Sequence, residues 1–187
     1  MMQPDFYLDL EPRSVRAGPG LPVWAGQVMQ VLHGVFRQSP GMYALALPNR
    51  RNHFLCLRIF AGSRDALDQL AGVLAGKPGL NLQLGRTYPV PADHAGSWSS
   101  YRRYRIPTRK AERLPQGMVR QRRIMEADAA GLPFFQLRSV SNGAHFGLRV
   151  QILEGAAANT GACAPDSYGL AVSSRPFSLP DLPYASR

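Results

Sequence analysis

The first ninety residues of this 187-residue chain change hydrophobic period in a fixed order, and that order restricts its possible folds more than any other feature. Residues 6–10 (FYLDL) alternate like a short strand. Residues 22–37 place Val28, Val31, Leu32 and Val35 at helical spacing. Residues 43–47 (YALAL) and 54–60 (FLCLRIF) read as two strands joined by a polar turn. Ser63 then caps a second helix, with Asp65 in its first turn and Gly76 just past its end. Residues 80–90 return to strand alternation. The order β-α-β-β-α-β predicts an α+β chain that opens with a ferredoxin-like (RRM-like) domain over residues 1–90.

Residues 91–100 are rich in Pro, Gly and Ser and read as a linker to a second domain over 101–187. That domain begins with an unusual run. Residues 101–123 hold eight arginines (Arg102, Arg103, Arg105, Arg109, Arg113, Arg120, Arg122, Arg123) and Lys110, against a single carboxylate, Glu112. Unpaired cations at this density repel one another. The guanidinium fork matches phosphates and guanine edges, so a polyanion, with nucleic acid foremost, is the expected partner. Pro115 and Gly117 prevent one continuous helix; a helix over about 116–129 is expected. On it Arg120 and Arg123 share a face while Arg122 points elsewhere. Arg102, Arg103 and Arg105, interleaved with Tyr101 and Tyr104, precede it in an extended segment. Further strands are expected at 134–138 and 145–153, joined through an Asn142-Gly143 turn, and a last strand at 167–173. The Pro-rich end reads as irregular.

Composition excludes several classes. Net charge is +10 although only 18% of residues are charged, and all 22 basic residues except Lys77 and Lys110 are arginine. Hydrophobic residues reach 45%, too many for a disordered chain. No run approaches the roughly 20 apolar residues of a membrane span. The start carries acids and prolines where a signal peptide needs basic and then apolar residues. Cys56 and Cys163 lack CxxC spacing, and His33, His53, His94 and His145 lack ligand spacing. These features predict a cytoplasmic protein whose chemistry uses no metal and no cofactor.

Several separated segments together resemble one family. These are Val31-Leu32-His33-Gly34, the arginine-rich run, residues 132–146 (LPFFQLRSVSNGAHF) and Ser167-Tyr168-Gly169-Leu170. Their order and intervals resemble the CRISPR repeat-processing endoribonuclease of subtype I-F systems. The resemblance implies an N-terminal ferredoxin-like domain and a C-terminal domain gripping an RNA hairpin with an arginine-rich helix and a β-hairpin. It implies metal-independent cleavage at the 3′ base of the repeat stem-loop, leaving a 2′,3′-cyclic phosphate. The product stays bound, as a subunit beside the backbone proteins of a type I-F-like surveillance complex. His33 matches the catalytic histidine, and imidazole is the side chain suited to accept a proton near neutrality. Ser139 matches the serine that positions the ribose hydroxyl, and Tyr168 a supporting tyrosine. Ser141 and Asn142 lie where phosphate oxygens pass, and Phe146 matches an aromatic that stacks on the terminal base pair.

Each assignment has a plainer counterpart. His33 reads equally as a helix histidine with a local hydrogen bond, Ser139 as a strand-end hydroxyl, Tyr168 as a half-buried strand aromatic and Phe146 as core. His145 reads as packed or phosphate-adjacent. The chain also departs from its likeness. Pro115-Gln116-Gly117 interrupts the usual arginine run, and Arg105-Ile106-Pro107 puts proline where a base-reading glutamine is usual. Two other functions remain open: a non-catalytic subunit anchoring a guide RNA hairpin, and a general basic RNA-binding protein.

Overall fold

A computed structural model describes residues 2–14, 20–48, 56–107, 117–139, 143–159 and 161–184. It is an α+β fold of two four-stranded antiparallel sheets and three helices among the described residues. The first sheet comprises β1 (Phe6–Pro12), β2 (Tyr43–Ala46), β3 (Leu57–Ala61) and β4 (Leu82–Pro89), in the order β2-β3-β1-β4. Helices α1 (Gly20–Gln38) and α2 (Arg64–Ala75) fall between β1 and β2 and between β3 and β4.

Register follows from the apolar alternation. Leu8 faces Ile59 and Leu10 faces Leu57 across β1 and β3, and Leu45 of β2 also pairs with Ile59. These side chains form one buried row. Helix α2 is started by Ser63, whose hydroxyl accepts from the Ala66 N–H, and it buries Leu67, Leu70 and Leu74. Tyr43 Oη donates to the Ala66 carbonyl from the same face of the sheet. Helix α1 buries Trp24, Val28, Met29, Leu32 and Phe36, a spacing of three and four that makes one apolar stripe. Each such side chain contributes roughly 1.5–3 kcal/mol of burial.

The second sheet comprises β5 (Trp98–Tyr104), β6 (Phe134–Arg138), β7 (His145–Glu154) and β8 (Leu179–Pro180), in the order β6-β7-β5-β8. Its inner face contributes Tyr101, Phe135, Leu137, Leu148 and Val150 to the same hydrophobic cluster that holds Leu8 and Leu32. Helix α3 (Gly117–Ala129) lies on the outer face. It buries Ala127, and Arg149 of β7 bonds Asp128 at 2.6 Å.

Three expectations need correction. Residues 98–100, read as linker, are the opening of β5, where Ser99 pairs with both Glu154 and Leu179. Residues 167–173, read as a strand, form a tight turn followed by isolated bridges at Ala171 and Val172. The cause is Asp166, whose carboxylate accepts from the Tyr168 and Leu170 N–H groups, with Gly169 at φ +77°. The Pro-rich end is not wholly irregular: Leu179–Pro180 pairs with β5, and Ser100 Oγ donates to the Phe177 carbonyl. No helix among the described residues is long and apolar enough to cross a membrane.

Candidate active site and basic surface

Two close backbone approaches set the site. Gly26 lies where α1 meets β6: a Cβ there would overlap the Gln136 carbonyl oxygen. One turn further along α1, the Gln30 amide reaches the Arg138 carbonyl at 3.5 Å. Four helical residues advance about 6 Å, and two strand residues advance nearly the same. Helix and strand therefore run side by side in step. A further turn brings α1 to His33 as β6 ends at Arg138, with Ser139 next.

Gly169 makes the second approach. Its carbonyl accepts from Leu45 N–H at 2.8 Å, and a Cβ would sit 2.9 Å from both Leu45 N and Phe36 Cε2. The 166–170 turn is thus pressed onto the edge of β2 and the end of α1. From there Ala171 N–H donates to the Tyr101 carbonyl of β5. The turn bridges the two sheets.

The turn presents two groups to His33. Nδ1 of the imidazole lies 2.8 Å from the Ser167 carbonyl oxygen, and the ring stacks on Tyr168 at 4.2 Å between centroids and 11° between planes. A carbonyl only accepts, so Nδ1 carries a proton, and in the neutral ring Nε2 then keeps its lone pair. The bond selects the tautomer and the stacking fixes the ring plane. This is not the local bond of the plainer reading, since Ser167 lies 134 residues further along the chain. On the far element of the seam, the Arg103 guanidinium lies 5.3 Å from the Tyr168 ring centre.

The remaining predicted residues distribute as follows. Ser139 follows β6, and its N–H donates to the Ala144 carbonyl at 2.8 Å, closing the hairpin. Phe146 pairs with Leu137 and is 38% exposed, so it is a surface aromatic at the hairpin end and not core. His145 is exposed and not packed. Arg102 is half-buried in β5, opposite Gln151, and Arg105 is exposed just beyond Tyr104. Arg109, Arg113, Ser141 and Asn142 lie outside the described residues.

Helix α3 carries Arg120, Arg122 and Arg123 in its first half and Glu126 and Asp128 in its second. That order opposes the helix dipole, which favours anions at the N-terminus and cations at the C-terminus. Arg120, in the first turn, therefore weakens the helix and deepens the positive potential at its start, while Arg122 and Arg123 lie beyond that turn. Their internal partners are slight: Arg122 and Arg123 approach Glu126 at 3.5 and 3.8 Å. Arg123 also donates to Tyr104 Oη at 3.2 Å, the main reason its pKa is raised. Met118 and Met125, 84% and 62% exposed, stand on the same helix.

One arginine the sequence did not single out lies in the first sheet. Arg58 is 1% exposed and bonds both Asp9 carboxylate oxygens at 2.7 and 2.8 Å. It also donates to the Leu182 and Pro183 carbonyls and lies over the Tyr7 ring. Burial opposes its charge, yet Asp9 more than offsets this and the pKa is raised. Register is the signal that would have found it, since Asp9 and Arg58 are cross-strand partners.

No group of three or more His, Cys, Asp or Glu side chains among the described residues could hold a metal ion. No protein-family model matches the chain, and no curated protein matches it.

Proposed function

We propose that this chain is a metal-independent endoribonuclease that processes precursor CRISPR RNA and retains the product hairpin. One observation carries the reading. His33 is held by the Ser167 carbonyl and the Tyr168 ring, which leaves Nε2 of the neutral imidazole as the base, and one helical turn earlier Gln30 of α1 reaches the carbonyl of Arg138, the residue before Ser139. His33, Ser139 and Tyr168 are the three residues the subtype I-F likeness assigns to cleavage. They come from three distant segments: His33 stacks on Tyr168, and Ser139 directly follows the Arg138 that Gln30 of the same helix reaches.

In this reading His33 Nε2 removes the proton from a ribose 2′-hydroxyl that Ser139 positions. The 2′-oxygen attacks the adjacent phosphorus, the bond to the 5′-oxygen breaks, and a 2′,3′-cyclic phosphate and a 5′-hydroxyl result. The β1-α1-β2-β3-α2-β4 unit, with sheet order β2-β3-β1-β4, supports a ferredoxin-like assignment for the N-terminal half. The arginines at the start of α3, with Arg102 on the same outer face of β5, support the C-terminal half as the hairpin grip. A-form major grooves are too narrow for side-chain readout, so α3 would enter near an open end of the stem. Phe146, exposed near the end of the β6–β7 hairpin, would stack on the stem's last pair, worth roughly 1–3 kcal/mol for a base. The retained product would join backbone subunits of a type I-F-like complex.

The test is cleavage of a CRISPR repeat hairpin in EDTA, beside the same RNA with a 2′-deoxy substitution at the scissile nucleotide. Cutting of the first and not the second is expected. Dependence on metal, or survival of the deoxy change, overturns the mechanism. If His33→Ala processes precursor as well as wild type while still binding the hairpin, the chain is an anchoring RNA-binding subunit instead.

A further inference from the structure

We infer that Arg103 is a catalytic residue of this site, binding the non-bridging oxygens of the scissile phosphate as negative charge develops there. The inference rests on the endoribonuclease reading and deepens it. Arg103 belongs to β5, opposite Val150, so its side chain leaves the sheet on the inner face that the 166–170 turn and α1 approach. Its guanidinium lies over Tyr168, the ring on which His33 stacks. Base and cation therefore share one aromatic support.

The environment of Arg103 separates it from Arg58, Arg149, Arg122 and Arg123. Arg58 and Arg149 are held by carboxylates at hydrogen-bond distance, and Arg122 and Arg123 lie near Glu126. Arg103 is exposed and has no carboxylate partner among the described residues; an aromatic face holds it instead. A cation placed without an anion beside a general base is suited to an anion that arrives with the substrate. As the 2′-oxygen bonds to phosphorus and the 5′-oxygen departs, charge gathers on the two non-bridging oxygens. A planar two-donor cation fixed beforehand on a ring meets that charge without reorganising.

The experiment pairs kinetics with an end-group binding assay on the full chain. Arg103→Ala is expected to lower the saturating single-turnover cleavage rate about 100- to 1,000-fold. Its Kd for an uncleavable 2′-deoxy hairpin should stay within a few-fold of wild type, and Arg103→Lys should restore part of the rate. Wild type should also bind a hairpin ending in a 2′,3′-cyclic phosphate about tenfold more tightly than one ending in a 2′,3′-diol. Arg103→Ala should erase that preference. An unchanged saturating rate, or an end-group preference that survives or is absent from wild type, overturns the role of Arg103 while a cleaving wild type keeps the endoribonuclease reading. A wild type that cannot cleave but shows an Arg103-dependent preference overturns the nuclease reading and leaves the phosphate-binding role standing.

Discussion

Arg58 in the first sheet and Arg103 in the second use the same side chain in opposite ways. In the first, Arg58 is enclosed, with Asp9 on two of its nitrogens and the Leu182 and Pro183 carbonyls completing its bonds. On and beside the second, Arg103, Arg105, Arg122 and Arg123 are exposed, and the ion pairs of the latter two among the described residues are long ones to Glu126. Enclosure makes an arginine a fastener: Arg58 ties the C-terminal segment to β1 and β3. Exposure without good partners makes it a site for something absent. A net charge of +10 counts both kinds alike, so total charge overstates the surface available to a polyanion and hides a structural ion pair.

The sharpest break in this comparison comes from Arg58. Replacing it with Met leaves the Asp9 carboxylate in place without its cation. That should lower unfolding stability by about 3–5 kcal/mol, read from urea or guanidinium melts. A second replacement, Asp9→Leu with Arg58→Met, should recover much of the deficit, because an apolar pair of similar volume removes the unpaired charge. If the single variant melts like wild type, Arg58 is no fastener and the contrast fails.

A smaller effect is expected where the two sheets meet. Gly169 has φ +77°, and a Cβ would press on Leu45 N and Phe36 Cε2 at 2.9 Å. Gly169→Ala should cost about 1–3 kcal/mol through backbone strain. It should also shift the turn that bears Tyr168 and the Ser167 carbonyl. Cleavage at saturating protein should then fall more than tenfold while hairpin Kd holds. A variant that loses stability but keeps its full cleavage rate would detach the turn from catalysis. Asp166→Asn, which keeps an acceptor for the Tyr168 and Leu170 N–H groups, should be much milder than Asp166→Ala.

How much of this could be read beforehand depended on the range of the forces involved. The order of strands and helices in the first half was readable, because Leu8, Leu10, Leu57 and Ile59 alternate and Val28, Val31, Leu32 and Val35 recur at helical spacing, although Val31 and Val35 are only half-buried. Ser63 announced its helix locally and caps it as expected. The 167–173 segment was misread because SYGLAVS has strand alternation. What decides its shape is one carboxylate outside the window, Asp166, and the bond from Leu45 of β2, far away in the chain. His33, Ser139 and Tyr168 were visible as residue types, but the partner that sets the imidazole tautomer is a backbone carbonyl, and no sequence pattern marks one. Gly26 looked like any helix glycine. Only the edge of β6 beside it reveals why a side chain there is excluded.

The least disruptive change tests the exposed half of the comparison most cleanly. Arg122 and Arg123 gain little from Glu126 at 3.5 and 3.8 Å on an exposed helix face. Replacing both with Gln should leave the thermal midpoint nearly unchanged, since exposed ion pairs of this length and the exposed Arg123–Tyr104 bond contribute little. Hairpin affinity should nevertheless fall, and the slope of log K against log salt should become shallower by about one unit for each phosphate no longer neutralised. A double variant that keeps the wild-type salt slope would place the RNA elsewhere. One that unfolds would mean these arginines fasten the fold as Arg58 does, and the division between the sheets would vanish.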